Sequence, residues 1–435
     1  MDKDKPLFEK EDENNTECIG IRIKVVLYVV IFGCAFQISG MAEPQYIYAY
    51  LRNDSNYTEA NTTTKHVSKE CLDNSSTSSD DRIKGLASDW SWYMKLAEAG
   101  VALPVLIFAG PLAGKIGRKP LLLWNVTISF VSFVCKTVIV YRNMNLYFYV
   151  IACGILGLSG SFYTFHLANL AILADATTKG KERSLTLTIY DTLLGIGTVS
   201  SQIGTGYLIQ LVGFTYPFLI TSGLVLALLI LICFTLTDEW KQKQEHSELN
   251  IQEIPDQVFS LCTNSQNVSR NLRSFLIYFC IYCLYYISLC GMFSLKTIYQ
   301  LGAPFCWTSE HIGWYGAGTD FVMFITGTIA LKCFHTCCLR LKDEIIAICG
   351  LVSCAGCFVL FGLSIDDRLL YIGKTSFMLS ITTFTVTSKS GGVVVIVRYL
   401  QLPVQSVPIT AKVVRSNPAD GVKYHNLNTN QYQYR

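Results

Sequence analysis

Long apolar runs alternate with short polar breaks along this chain. They cover roughly residues 25–50, 91–110, 120–141, 145–174, 184–211, 214–236, 272–300, 311–333, 344–364 and 369–388. A run of about 20 such residues matches the ~30 Å hydrocarbon core of a bilayer. In lipid every backbone N–H and C=O must be satisfied within the segment, so each run is predicted to be helical. The pattern therefore predicts an all-α integral membrane protein with about ten spans. The later run "GGVVVIV" is too short to cross and is flanked by Arg398. Polar stretches at 52–90 and 237–271 divide the chain. The layout is an N-terminal tail (1–24), a first six-helix bundle (25–236) with a long loop at 52–90, and a linker (237–271). A partial second bundle (272–388) and a divergent tail (389–435) follow. No small-residue cleavage site follows the first run, which is read as a retained helix.

Composition sharpens this picture. The chain is 51% hydrophobic and 15% charged, against about 25% charged in soluble proteins. Its net charge of +3 is not gathered into a basic face, which argues against a nucleic-acid partner. The partner that the composition implies is the lipid bilayer. No nucleophile–base pair, metal-ligand cluster or phosphate loop is evident, so neither an enzyme nor a metal site nor a cofactor is expected. Lysine and arginine mark the cytoplasmic loops. Lys115, Arg118 and Lys119 follow the second span, Lys179, Lys181 and Arg183 the fourth, Lys241 and Lys243 the sixth, and Arg340 and Lys342 the eighth. The N-terminus and linker are thus predicted to be cytoplasmic. The first loop then faces the lumen or exterior, and it carries the sequons of Asn53, Asn56, Asn61 and Asn74, which are candidate glycosylation sites. Sequons at Asn125 and Asn267 fall in cytosol or membrane and are read as unused. Most of the 17 cysteines sit inside spans, where a free thiol behaves as a small hydrophobe. Cys71 and Cys306 fall in luminal loops, where an oxidising compartment invites pairing, although two unpaired thiols also fit.

Ionisable residues inside spans are costly, so each is a candidate site. Asp191 lies well inside the fifth span and is the first candidate for proton coupling; a static ion pair or helix contact is the other reading. Asp320 is similarly deep in "GAGTDFVMF". Glu43 and Glu98 lie toward the luminal ends of the first two spans, where either lines the cavity or reaches headgroup water. Lys136 is expected to snorkel. Lys296 either meets an anionic substrate or neutralises one of these carboxylates. Gln45, Tyr46, His166, Lys296 and Tyr286 form the candidate substrate cavity. For the aromatics, packing and interfacial anchoring are the plainer reading; for His166 it is a hydrogen-bonded core position. Asp175 ends the fourth span beside a cationic loop and is expected to make a cytoplasmic gate contact.

The segment "GPLAGKIGRKP" at 110–120 resembles the signature that joins the second and third helices of the major facilitator superfamily, G-x-x-x-D-x-x-G-R-[RK]. Gly110, Gly117, Arg118 and Lys119 match, while Gly114 stands at the acidic position. The segment "IYQLGAPFCWTSEHIGWYG" at 298–316 resembles solute carrier family 46, through Tyr299, Leu301, Pro304, Cys306, Trp307, Ile312 and Gly313. That family includes the proton-coupled folate transporter and a lysosomal relative. Gln45-Tyr46 and "RSLTLTIYDTLLGIG" extend the likeness over roughly 25–385. The resemblance implies a two-bundle transporter fold, a gate motif at Gly110, Gly117, Arg118, Lys119 and Asp175, and a Cys71–Cys306 disulfide. It also implies an acidic proton-coupling role at Asp191, with Asp320 and Glu43 beside it. The expected activity is proton-coupled symport of a small organic anion of the folate-like, steroid-conjugate or muropeptide class, in the plasma membrane or the endosomal or lysosomal membrane. Leu289 and Phe321 stand where the folate transporter has histidines, and Ser161 where it has an acid, which disfavours folate itself. From about residue 388 the likeness ends, and the family's last two spans have no counterpart in the tail. An alternative reading therefore stands: a non-transporting, truncated form acting as a membrane receptor or assembly partner.

Overall fold

A computed structural model describes residues 7–59, 77–177, 181–236, 295–302, 304–332, 343–364 and 366–376. Seven helices come from the first part of the chain. They are α1 (Leu7–Glu59), α2 (Thr77–Ile116), α3 (Arg118–Tyr141), α4 (Leu146–Leu158), α5 (Ser161–Asp175), α6 (Lys181–Val212) and α7 (Thr215–Thr235). A helical turn at 295–301 leads to α8 (Ser309–Lys332), α9 (Asp343–Gly362) and α10 (Asp367–Ser376). Among the described residues, four segments are long and apolar enough to cross a membrane: Ile19–Asn53, Arg118–Tyr141, Leu146–Asp175 and Thr215–Thr235.

Several helix boundaries differ from the hydropathy reading. The polar tail expected over 1–24 is helical from Leu7, and α1 and α2 extend into the stretch read as a loop at 52–90. Helical backbone bonds continue past the apolar run, and neither "LFEKEDENN" nor "LRNDSNYTE" contains a proline or glycine to break them. The span expected at 145–174 is split in two. Gly160 takes φ +74° and Ser161 φ +53°, a left-handed pair that ends one helix and restarts another. The side-chain amide of Asn125 in α3 bridges the break, donating to the carbonyls of Ser159 at 2.7 Å and Ser161 at 2.9 Å. These bonds replace part of the backbone ladder that the break removes. The cytoplasmic turn expected around 110–120 contracts to Gly117, whose φ of +101° lets α3 start one residue after α2 ends.

α1 packs on α6 and α7, α3 on α4 and α7, and α2 on α4, closing a bundle. α8 packs against α6, and α10 against α9 and α8. The first bundle has two apolar cores stacked along its length. One gathers Tyr28, Phe32, Leu122, Phe165 and Leu228; the other gathers Tyr46, Ile47, Met94, Tyr149 and Phe218. A layer of buried charge lies where they meet, because Glu43 in α1 and Lys136 in α3 each fall near the boundary.

Candidate transport site

That layer brings together four charged side chains from α1, α2 and α3. Lys136 Nζ lies 2.9 Å from Glu43 Oε2, and Lys95 Nζ lies 3.7 Å from Glu43 Oε1 and 3.4 Å from Glu98 Oε2. The Tyr149 hydroxyl donates to Glu43 at 3.3 Å, and the Ser161 hydroxyl, at the break between α4 and α5, donates to Glu98 at 2.5 Å. The Lys136 ammonium also sits 5.0 Å from the centroid of the Tyr149 ring. Lys136 therefore does not snorkel: it is 1% exposed and salt-bridged. Nor do Glu43 and Glu98 reach headgroup water; both are buried. Two carboxylates face two ammonium groups, so the layer is neutral, and protonating Glu43 would leave two lysines facing a single carboxylate.

Asp191 has a different setting. It projects from α6 as an exposed side chain, and no ion pair to it occurs among the described residues. Its neighbour Tyr190 points inward, and the Tyr190 hydroxyl hydrogen-bonds His166 Nδ1 at 3.0 Å while His166 stacks on Phe162. His166 is thus a hydrogen-bonded, half-buried member of the α5–α6 contact. Asp320, half-buried on α8, accepts a 2.7 Å hydrogen bond from Gln202 Nε2 on α6. The Lys296 ammonium sits 4.6 Å from the centroid of the Tyr315 ring. Gln45 and Tyr46 are buried on α1; Gln45 Nε2 donates back to the Met41 carbonyl, and the Tyr46 ring packs against Tyr149 and Phe214. Tyr286 lies outside the described residues.

At the opposite end of α6, two arginines converge on the C-terminus of α5. Arg118 donates to the Ala171 carbonyl and pairs with Asp175. Arg22 of α1 donates to the Ala176 carbonyl at 3.0 and 2.8 Å and pairs with Glu182 at 2.6 Å. A helix C-terminus offers unpaired carbonyls and a partial negative charge, which is what a guanidinium satisfies. Gly117 forms the α2–α3 junction and Arg118 and Lys119 open α3; the Gly110 side of the motif belongs to the last two turns of α2. Cys306 is disulfide-bonded, while Cys71 lies outside the described residues. Asn53 is exposed near the end of α1; the side chains of Asn56, Asn61 and Asn74 lie outside the described set. Lys95 and Gln202 were not legible as site residues in the sequence. Lys95 had a signal, standing one turn before Glu98 on a span, whereas a glutamine among small residues carries none.

Paired helical arrays with a broken span, buried polar layers and a charged hinge at one end define a membrane transporter. The family model for the Major Facilitator Superfamily matches residues 91–400, and the chain belongs to that superfamily. It is 26% identical over 370 residues to the lysosomal proton-coupled steroid conjugate and bile acid symporter SLC46A3 of Gallus gallus, covering 82% of this chain and 77% of that protein. It is 22% identical over 369 residues to the proton-coupled folate transporter of Rattus norvegicus, covering 85% and 78%. Among solved structures, the D-xylose-proton symporter superposes with a TM-score of 0.57 at 12% identity over 88% of this chain and 87% of that one. The human organic anion transporter MFSD10 superposes with a TM-score of 0.53 at 14% identity over 88% and 90%. These structural likenesses establish the fold.

Proposed function

We propose that the protein is a proton-coupled symporter of small organic anions. The observation that carries this reading is Asp191: a carboxylate on a membrane helix, exposed rather than salt-bridged, while Glu43 is held between two lysines. An intramembrane carboxylate open to a water-filled path can take up and release a proton, and a neutralised site then changes access at lower cost. Asp320 is the second coupling carboxylate. Glu43 serves the balance of the buried layer rather than as a carrier. Lys296 supplies the cation for an anionic cargo beside Tyr315, with Gln45, Tyr46, His166 and Tyr286 shaping the cavity. Relatives named for steroid conjugates, bile acids and folate support a ring-bearing anion as cargo; a muropeptide belongs to the same test.

In this reading the N-terminus is cytoplasmic, and Gly110, Gly117, Arg118, Lys119 and Asp175 form the cytoplasmic gate. The 52–90 side is luminal, with glycans on Asn53, Asn56, Asn61 or Asn74 and a Cys71–Cys306 disulfide. Plasma membrane and endolysosomal membrane both suit it. The test is uptake of labelled steroid sulfate, bile acid, folate and muropeptide in vesicles carrying an imposed pH gradient. Uptake should rise with acid on the luminal side and lose that dependence in Asp191→Ala at equal surface expression. Uptake of none of the probes at any pH would point to the non-transporting receptor reading instead.

A further inference from the structure

α6 and α8 cross closely, and small residues line the crossing. A Cβ placed on Gly206 would lie 2.6 Å from the Ser309 carbonyl oxygen, and one on Gly313 2.8 Å from that of Gln202. Trp314 Nε1 donates to the Tyr207 hydroxyl at 3.1 Å across the same contact. Gln202, 5% exposed, spans it to Asp320. We propose that Gln202 is a positioning residue that reads the protonation state of Asp320 and ties it to the closure of α6 against α8. The proposal rests on the proton-coupling reading above.

A carboxylate accepts the amide N–H in a charge-assisted bond, roughly twice as strong as a bond between neutral groups. A proton on Asp320 removes that assistance, so acid loosens the crossing that joins the two parts of the chain. Among the described residues, these titratable groups surround it. On α8 itself Tyr315 carries the Lys296 ammonium on its ring, and from α10 Tyr371 meets Tyr315 edge-on at 4.9 Å. The segment 295–301 adds Tyr299, whose hydroxyl donates to the Ser364 carbonyl. Asp367 of α10 accepts from Trp307, and Glu43 of α1 is held by Lys136 and Lys95. On α6, Asp191 precedes Gln202 by three helical turns, about 16 Å along the axis, beyond direct contact.

The experiment is hydrogen–deuterium exchange of the full chain in lipid nanodiscs, at neutral and mildly acidic pH, corrected for intrinsic exchange. Peptides from 199–207 and 309–322 should exchange about fivefold faster in acid, the difference expected between a charged and a neutral hydrogen bond. Gln202→Leu and the shorter Gln202→Asn should both abolish that pH dependence. Asp320→Asn, a neutral isostere, should show the acid level at both pH values. Asp191→Asn should keep the wild-type exchange response while losing pH-dependent uptake of labelled steroid sulfate. A wild-type acid response retained in Gln202→Leu overturns the proposal, as does a flat wild-type profile alongside proton-driven uptake. Proton-independent uptake with the exchange response intact overturns the coupling reading and leaves the latch standing.

Discussion

Replacing Lys136 by methionine keeps most of the side chain's volume and removes its charge. At an effective dielectric of about 20, opposite charges 2.9 Å apart attract by about 6 kcal/mol and those 3.7 Å apart by about 4.5 kcal/mol. Lys136→Met therefore takes away the stronger of two attractions and leaves Glu43 held by Lys95 and the Tyr149 hydroxyl. Breaking a buried pair costs about 3–5 kcal/mol because one charge is stranded. Lys95 keeps the loss near the lower end, about 3 kcal/mol. At about 2–4 °C per kcal/mol, the melting midpoint in nanodiscs should fall by roughly 6–12 °C. Glu43→Gln added to Lys136→Met leaves Lys95 facing Glu98 alone, again one charge of each sign, and should recover most of that loss. Intrinsic-fluorescence melts of the two single variants and the double variant check this. Losses that simply add in the double variant would refute the balanced-layer argument, since independent sites show no coupling.

Further expectations concern packing and the hinge. Asn125→Ala removes two hydrogen bonds across the α4–α5 break and should cost about 1–3 kcal/mol, read as a lower melting midpoint. Gly157→Leu should be worse, because even a Cβ there would lie 2.5 Å from the Glu98 carbonyl oxygen; failure to reach the membrane in folded form is the readout. Arg118→Ala removes one of the two guanidinium groups at the C-terminus of α5, so protease nicking near 176–182 should increase while the melt of the bundle shifts by no more than about 1–2 kcal/mol.

The helices themselves were readable because lipid demands about 20 apolar residues per crossing, and the runs 120–141 and 214–236 match α3 and α7 closely. Hydropathy could not reveal that α1 begins at Leu7, since the polar part of a helix has no apolar signature. The α4–α5 break was hidden for another reason. "LGLSGSFY" is apolar enough to read through, and only the left-handed backbone at Gly160 and Ser161 ends the helix. At the site, single residues announced themselves by charge: Glu43, Lys136, Asp175, Asp191 and Asp320 were all picked out one at a time. What a linear string withholds is partnership. Glu43 and Lys136 are 93 positions apart and Gln202 and Asp320 are 118 apart, so their meeting depends on how the helices cross.

The buried layer also bears on how this protein responds to membrane voltage. A charge that moves through the membrane field does work of about 2.3 kcal/mol per elementary charge per 100 mV. Glu43, Glu98, Lys95 and Lys136 sum to zero, so a rocking bundle carries them through the field with little electrical work. Under the proposed symport, charge movement recorded during turnover would then report the proton, the cargo and the exposed carboxylate of Asp191, rather than the frame that carries them.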